Sequence, residues 1–148
     1  MPVKNITVTE AHQKQAVGYT YVDVRSVPEF EAGHPAGAVN VPLLHRDPST
    51  GQALPNPDFL GVMSGNFPSD ARLLIGCQVG GRSAQAAQLL AASGYSDVAN
   101  VLGGFGGGRS AAEPGWAPSG LPTESGTGSG RSYEELRRAA AGRTKGER

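Results

Sequence analysis

The stretch that most limits how this chain can fold is the apolar run ARLLIG, residues 71–76, together with the loop and the alanine-rich segment after it. An unbroken apolar run of this length is typical of a strand that is covered on both faces. The loop is CQVGGR, and the alanine-rich segment, residues 83–94, has apolar side chains at helical spacing. A strand, a loop and a helix in this order indicate a parallel sheet with helices packed on it.

Similar units flank this one. Residues 19–25, 38–42 and 97–102 are short segments rich in β-branched side chains and are predicted as strands. A further short strand and a helix open the chain, with Thr9 as the predicted N-cap and Gly18 as the stop. Because strands and helices alternate, we predict an α/β fold with a parallel sheet and helices on both of its faces.

Two stretches lack this alternation. Residues 43–57 are rich in proline and polar side chains and are predicted as a long loop. Beyond residue 102 the chain is rich in glycine, and Trp116 is the predicted anchor of that part. Residues 123–148 are predicted as a linker followed by a short C-terminal helix and tail, which leaves residues 1–122 as one domain.

Composition excludes several classes of function. Thirteen basic and thirteen acidic side chains cancel, so no overall charge favours a nucleic acid as partner. The N-terminal residues contain no apolar core of a signal peptide, and no apolar run approaches the ~20 residues that span a membrane. A single cysteine forms no internal disulfide. We therefore expect a soluble protein of the reducing cytoplasm with no membrane partner.

The single cysteine, Cys77, comes directly after the apolar strand. Ligands of open parallel sheets bind beyond the carboxyl ends of the strands, and the N-terminus of the following helix favours an anion there. Gly80 and Gly81 let backbone amides turn inward, and Arg82 adds a permanent positive charge. These features favour the thiolate, and they predict a nucleophilic cysteine in an anion-binding cup. The alternative is an inert buried cysteine at a strand end.

The spacing of the loop separates two chemistries. From Cys77 to Arg82 the pattern is C-x-x-x-x-R. Cysteine-dependent phosphatases and related arsenate reductases use a loop one residue longer, which wraps a tetrahedral phosphoryl group. The shorter loop makes a smaller cup that suits one extra sulfur atom, and the chain has no second cysteine to resolve an arsenate adduct. A phosphatase or arsenate reductase is therefore the weaker alternative.

The loop CQVGGRS resembles the active-site loop of single-domain rhodanese-family sulfurtransferases. The segment YVDVRSVPEFEAGHPAGAVNVPLL resembles that family's D-V-R … E-F … G-H-x-x-G-A-x-N-x-P stretch, and NPDFL and GWAPSGLP come next in the family's order. The resemblance covers about residues 5–122. The fold it implies is α/β and rhodanese-like: a central, mostly parallel five-stranded sheet with helices on both faces, followed here by a glycine-rich C-terminal extension.

The activity implied by this resemblance is sulfur transfer. Cys77 would take the sulfane sulfur of thiosulfate or a related donor as a persulfide and pass it to a thiophilic acceptor such as cyanide or a thiol. No metal and no organic cofactor are implied. Arg82 would hold the charged end of the donor, or alternatively close the loop through a salt bridge. The residues implied to bind substrate are the six after the cysteine: Gln78, Val79, Gly80, Gly81, Arg82 and Ser83.

Other matches to the family pattern have weaker implications for function. Asp23 and Arg25 match the D-x-R motif and are predicted mainly as a structural ion pair at the end of the sheet, with a supporting role at the site as the alternative. His34 matches the G-H turn and is predicted to make a structural hydrogen bond. His45 and Arg46 are either solvated or line the mouth of the pocket.

Several points stay open at this level. Residues 105–115 separate the family's Gly-Gly from its tryptophan, and they form either a lid over the cup or a surface loop. A sulfur carrier or binding module that acts with a protein partner is the alternative to an enzyme. The donor could be thiosulfate, polysulfide, glutathione persulfide or a protein persulfide. The acceptor and the oligomeric state are undetermined.

Overall fold

The computed structural model describes residues 3–108, 113–126 and 131–146. The predicted element order is confirmed over most of the chain, with nine strands and five helices in the described part. In chain order the elements are β1 (Lys4–Ile6), α1 (Val8–Gln15), β2 (Thr20–Asp23), α2 (Val27–Ala32), β3 (His34–Pro35), β4 (Val39–Asn40), β5 (Leu44–Arg46), β6 (Ala53–Pro55), α3 (Phe59–Asn66), β7 (Arg72–Gly76), α4 (Gly81–Ala92), β8 (Asp97–Val101), β9 (Thr123–Glu124) and α5 (Tyr133–Gly146).

The centre of the molecule is a five-stranded sheet in the order β1-β8-β7-β2-β4. All four neighbouring pairs are parallel, which confirms the predicted sheet. Parallel pairing brings the carboxyl ends of the strands to one edge, and the register aligns Asp23 of β2 with Gly76 of β7 and with Asn40 of β4. The residues just after β2 and β7 therefore meet at that edge.

Helices cover both faces of the sheet, as predicted. On one face Leu73 and Ile75 of β7 pack with buried residues of α3, α4 and α5. On the other face Leu74 packs with α1, α2 and Trp116. Since alternate side chains of a strand point to opposite faces, β7 must be apolar at every position between its ends. This is the physical reason for the unbroken apolar run in the sequence.

The glycine-rich region is anchored as expected by Trp116. Its indole is fully buried, its Nε1–H donates to the carbonyl of Pro122 over 2.6 Å, and its ring lies edge-on to Tyr21. The residues 109–112 of the 105–115 segment, including Arg109, lie outside the described part of the chain.

The C-terminal helix α5 packs against α3 and buries Tyr133, Leu136 and Ala140. Asn66 of α3 donates to the carbonyl of Leu136 over 2.9 Å, and Asn56 donates to the hydroxyl of Tyr133 over 3.1 Å. The described part of α5 is therefore attached to the body, while the division of the chain at residue 122 stays a prediction. No described helix has the length and apolar character needed to cross a membrane.

The prediction of a long loop over residues 43–57 is wrong. The strands β5 and β6 pair antiparallel in this region, with His45 opposite Leu54. Between them the carboxylate of Asp47 accepts hydrogen bonds from the backbone and side chain of Ser49, both over 2.8 Å. Polar and proline residues concealed the hairpin because its strands lie at the surface and carry no apolar alternation.

Candidate active site

Cys77 comes directly after β7 at the edge where the carboxyl ends of the strands meet, and its side chain is 1% exposed. The loop from Cys77 reaches α4 within four residues. That tight connection requires Gly80, the N-cap of α4, at φ 120°, a conformation that side chains disfavour. The glycine therefore turns the chain so that the N-terminus of α4 faces the sulfur.

Two backbone amides point at the cysteine sulfur. The amide of Gly80 lies 3.1 Å from Sγ and the amide of Ser83 lies 3.3 Å from it. At the start of a helix such amides have no acceptor within the helix itself, and the helix dipole also favours negative charge there. The arrangement is suited to a thiolate or to a sulfur anion attached to it. For all six residues from Gln78 to Ser83, binding of a substrate anion stays a prediction.

Ser83 links the sulfur to a buried polar chain. The thiol lies 3.4 Å from the Ser83 hydroxyl, which is 2.6 Å from Oδ1 of Asn100. Asn100 in turn donates to Oδ1 of Asn5 over 3.0 Å. Ser83 and Asn100 are both buried, so these hydrogen bonds fix the orientation of the hydroxyl beside the sulfur.

Neither Asn100 nor Asn5 was identified from the sequence. Asn5 lies between Lys4 and Ile6 in β1, Asn100 lies beside Val101 in β8, and the register pairs the two asparagines directly. Their signal in the sequence was an asparagine near the carboxyl end of each strand, at the same edge as Cys77. That signal becomes readable only once the pairing of the two distant strands is known.

Arg82 forms the salt bridge that the sequence left as an alternative. Its guanidinium donates to both carboxylate oxygens of Glu29, over 2.8 and 3.1 Å. Glu29 also accepts hydrogen bonds from the backbone and hydroxyl of Ser26, the N-cap of α2. The pair therefore joins the cysteine loop to the start of α2. It engages two of the five N–H donors of the guanidinium, so the position is compatible with an additional anion.

Burial raises the pKa of Glu29, but the hydrogen bonds from Arg82 and Ser26 outweigh it and lower the pKa from 4.5 to about 2. A carboxylate whose pKa is depressed by folding adds stability above its unfolded pKa, and that stability is lost as the pH falls towards the folded pKa. The contribution of Glu29 should therefore disappear between about pH 4.5 and pH 2. Because solvent screens this partly exposed ion pair, its contribution to the free energy of unfolding is limited to about 1 kcal/mol.

This gives a prediction for Glu29→Gln. The free energy of unfolding of the variant should be below that of the wild type at pH 6, and the difference should shrink steadily as the pH approaches 2. Urea titrations at four or five pH values would measure it, with Glu31→Gln on the same helix as the matched control. Glu31 is exposed, so its variant should show no such trend. A difference that is constant with pH would contradict this account of the pair.

Asp23 and Arg25 form the ion pair that the D-x-R motif predicted. Arg25 Nη2 lies 2.7 Å from Asp23 Oδ2. The side chain of Asp23 is 2% exposed and that of Arg25 is 3% exposed. The same guanidinium donates to the carbonyl of Gly33 over 2.6 Å and to the side-chain oxygen of Gln78 over 3.1 Å. The pair therefore holds a residue of the cysteine loop as well as the end of β2.

The glycine-rich segment supports the loop from behind. The amide of Phe105 donates to the carbonyl of Cys77 over 2.7 Å, and the amide of Gly106 donates to the carbonyl of Gln78 over 3.0 Å. At Gly104, φ is 56°, and a side chain there would overlap the carbonyl oxygen of Cys77. The Phe105 ring also lies 4.6 Å from the Arg25 guanidinium. The start of the 105–115 segment therefore packs against the cysteine loop and holds its backbone in place.

His34, His45 and Arg46, which have weaker implications in the sequence, have different surroundings in the structure. His34 is fully buried, with Nδ1 2.6 Å from the carbonyl of Phe30 and Nε2 3.2 Å from Glu124. These contacts confirm a structural role. His45 and Arg46 lie on the hairpin and line a cavity that Arg82 also lines. Arg46 is also exposed, so both alternatives, a solvated side chain and a position at the mouth of a pocket, stay open for these two residues. No described group of His, Cys, Asp or Glu is arranged to hold a metal ion.

Comparison with known proteins agrees with this architecture. A family model described as "Rhodanese-like domain" matches residues 7–111. The chain is 39% identical to thiosulfate sulfurtransferase 16, chloroplastic, of Arabidopsis thaliana over 81% of this chain and 92% of that protein. It is 36% identical to thiosulfate sulfurtransferase 18 of A. thaliana over 70% of this chain and 76% of that protein. Since one relative is named chloroplastic, the cytoplasmic location stays a prediction.

Among solved structures, the crystal structure of Rv0390 from M. tuberculosis superposes with a TM-score of 0.70. The two sequences are 27% identical, and the superposition covers 85% of this chain and all of the M. tuberculosis chain. The family model matches residues 7–111, which is a smaller share of the chain than the superposition covers. The structural likeness therefore extends beyond the region that the family model matches.

Proposed function

Because the chain belongs to the rhodanese-like domain family, we propose that it is a sulfurtransferase in which Cys77 carries the sulfur. The donor is thiosulfate or a related sulfane-sulfur compound, and the acceptor is a thiophile such as cyanide or a thiol. The observation that supports this most strongly is the pair of amides, from Gly80 and Ser83, that converge on Cys77 Sγ at the N-terminus of α4.

The first step loads the cysteine. The Cys77 thiolate attacks the outer sulfur of thiosulfate, a bond forms between the two sulfur atoms, and the bond to the sulfonate sulfur breaks. Sulfite leaves with the electron pair of that bond, and Cys77 is left as a persulfide anion. Charge balances without an oxidant, since a thiolate and a dianion give a persulfide anion and sulfite dianion. Covalent catalysis of this kind divides one transfer into two easier steps.

The loop residues have separate tasks in this proposal. The amides of Gly80 and Ser83 stabilise negative charge on sulfur. The other amides of the loop, those of Gln78, Val79, Gly81 and Arg82, receive the outer sulfur of the persulfide. Arg82 attracts the sulfonate of the donor while Glu29 holds the guanidinium in place. In the second step the acceptor attacks the outer sulfur, and Cys77 leaves as a thiolate.

The deciding experiment is an intact-mass measurement after incubation with thiosulfate. We expect the protein to gain one sulfur atom and to lose it again on addition of cyanide, with release of thiocyanate. Protein alkylated with iodoacetamide beforehand is the control, since Cys77 is the only cysteine and its sulfur is then blocked. Absence of the gain with thiosulfate, and then with glutathione persulfide, would overturn the proposal. Loading without release to any small acceptor would instead favour a carrier that serves a protein partner.

A further inference from the structure

We propose that the cavity beside Arg82 binds the carboxylate of a small thiol, and that Arg46 is the residue that selects for it. This inference rests on the proposed sulfur transfer and names a class of substrate for the same site. The thiol could enter as the acceptor or, as its persulfide, be the donor. In both cases the cavity holds the charged part of the molecule while the sulfur reaches the loop.

The cavity has a volume of about 290 Å³. This lies just below the range of about 300–1,000 Å³ that is usual for small-molecule sites. Thiosulfate, with five heavy atoms, would leave most of the space unfilled. The cavity lies between the start of α2, the hairpin and the first turn of α4, and its lining residues are Ser26, Leu44, His45, Arg46, Ala53 and Arg82.

The cavity adjoins the cysteine loop directly. Arg82 is in its lining, and the next residue, Ser83, donates its amide to Cys77 Sγ over 3.3 Å. Ser26, another lining residue, belongs to the same hydrogen-bonded cluster as Glu29 and Arg82. A ligand in this cavity therefore lies next to the loop residues that hold the reacting sulfur.

The charges of the lining favour an anion. Arg82 and Arg46 are cationic, whereas the lining residues that the structure describes include no carboxylate. Of two acidic side chains next to lining residues in space or in sequence, Glu29 forms its ion pair with Arg82, and Asp47 accepts hydrogen bonds from Ser49. The positive charge of Arg46 is therefore not neutralised by a partner carboxylate in the described structure.

Arg46 is also held in place. Its Nη1 donates to the carbonyl of Gly51 in the turn of the hairpin over 2.7 Å, and this surface contact orients the guanidinium at the rim of the cavity. His45, beside it, lies 5.6 Å from the Tyr133 ring of α5 between ring centroids. A cation that is already oriented loses less side-chain freedom on binding a carboxylate, which favours selective recognition.

The transfer step shows why such a charge is useful. A thiol attacks the outer sulfur of the Cys77 persulfide anion, the bond between the two cysteine-borne sulfur atoms breaks, and Cys77 leaves as a thiolate. The acceptor becomes a persulfide and keeps the thiol proton, so atoms and charge balance with no oxidant. A carboxylate on the acceptor would be repelled by the persulfide anion, and Arg46 together with Arg82 offsets that repulsion.

The test uses N-acetylcysteine and N-acetylcysteine amide. The two compounds have nearly the same shape, but only N-acetylcysteine carries a carboxylate. Protein is loaded with sulfur from thiosulfate, freed of the donor by desalting, and mixed with each thiol while its mass is followed. We expect the acid to discharge Cys77 about fivefold faster than the amide, the effect of one solvent-accessible ion pair. In Arg46→Gln this ratio should fall to about one, and in Arg46→Lys it should be largely restored.

Arg138→Gln is the matched control, since Arg138 is an exposed arginine of α5 whose side chain is 73% exposed, and the ratio there should equal that of the wild type. Because each ratio compares two thiols on one preparation, a general loss of activity cancels. A second arm loads unmodified protein with the persulfides of the same two compounds and tests the donor role. A ratio near one in the wild type in both arms, or a ratio that Arg46→Gln does not change, would overturn the inference. Failure of the proposed function is distinguishable, because Cys77 would then never gain sulfur.

Discussion

Replacing Cys77 with serine is expected to lower the rate of thiocyanate formation from thiosulfate and cyanide at least about a thousandfold, as removal of a catalytic nucleophile does in other enzymes. A serine hydroxyl can accept the hydrogen bonds from Gly80 and Ser83. It is nevertheless a poor nucleophile towards sulfane sulfur and forms no persulfide. Cys77 is the only cysteine in the chain, so no second thiol can replace it. Initial rates at saturating thiosulfate would measure the effect.

The fold of this variant should be preserved, which makes the result interpretable. Serine is slightly smaller and the side chain is 1% exposed, so we expect a stability change of about 1 kcal/mol or less. Near-ultraviolet circular dichroism and a urea titration would verify that the variant is folded. Retention of more than about a tenth of the wild-type rate by a folded Cys77→Ser protein would contradict transfer through this sulfur.

The centre of the fold was predictable because its sequence signals are local and point the same way. The run Leu73–Ile75 is apolar at each position because β7 is buried on both faces, and alternation of strands with helices indicates a parallel sheet. The loop from Cys77 to Arg82 was equally readable, since a strand end, two glycines and a helix start succeed one another directly.

The features that the sequence did not predict depend on residues far away in the chain or on competing local signals. Asn5 and Asn100 are 95 residues apart and meet only through strand pairing, which no local pattern encodes. The pairing of Arg82 with Glu29, 53 residues earlier, is another long-range contact that the sequence left as an alternative. Both cases concern side chains around the sulfur, where tertiary structure decides which polar groups meet.

The first helix shows a different kind of failure. Thr9 was predicted as the N-cap, whereas the structure places Thr7 there. The hydroxyl of Thr7 accepts from the amide of Glu10 over 3.2 Å, and the Glu10 carboxylate accepts from the amide of Thr7 over 2.9 Å. This reciprocal pair is a capping box, which requires a Thr and a Glu three residues apart. That spacing was visible in the sequence and separates Thr7 from Thr9.

The glycine-rich segment was ambiguous for a physical reason. Its composition indicates freedom of the chain, and freedom is compatible with a lid or with a surface loop. In the structure Gly104 is needed because the backbone there lies against the carbonyl of Cys77, where a side chain does not fit. Glycine in this position reflects close approach of two backbones, and only the three-dimensional structure distinguishes that cause from flexibility.

Replacing Arg25 with methionine is expected to have the largest effect on stability, a loss of about 3–5 kcal/mol in the free energy of unfolding. Asp23 would stay buried, at 2% side-chain exposure, without its guanidinium partner. Removing one member of a buried ion pair leaves an uncompensated charge, which accounts for most of this loss. Urea titration at pH 7 would measure it, with Arg138→Met at an exposed arginine as the matched control, expected to change stability by about 0.5 kcal/mol or less.

The double variant Asp23→Asn/Arg25→Met separates the structural role of the pair from its role at the site. With the charge of Asp23 removed, we expect at least about half of the lost stability to return, because the desolvated carboxylate was the main cost. We expect Arg25→Met also to slow sulfur transfer, because Arg25 Nη1 holds the side chain of Gln78 over 3.1 Å. The double variant lacks the same contact, so its transfer rate should stay low. Recovery of stability together with full turnover would show that the pair acts only on the fold. Recovery of stability without turnover would show that the D-x-R arginine also positions the cysteine loop.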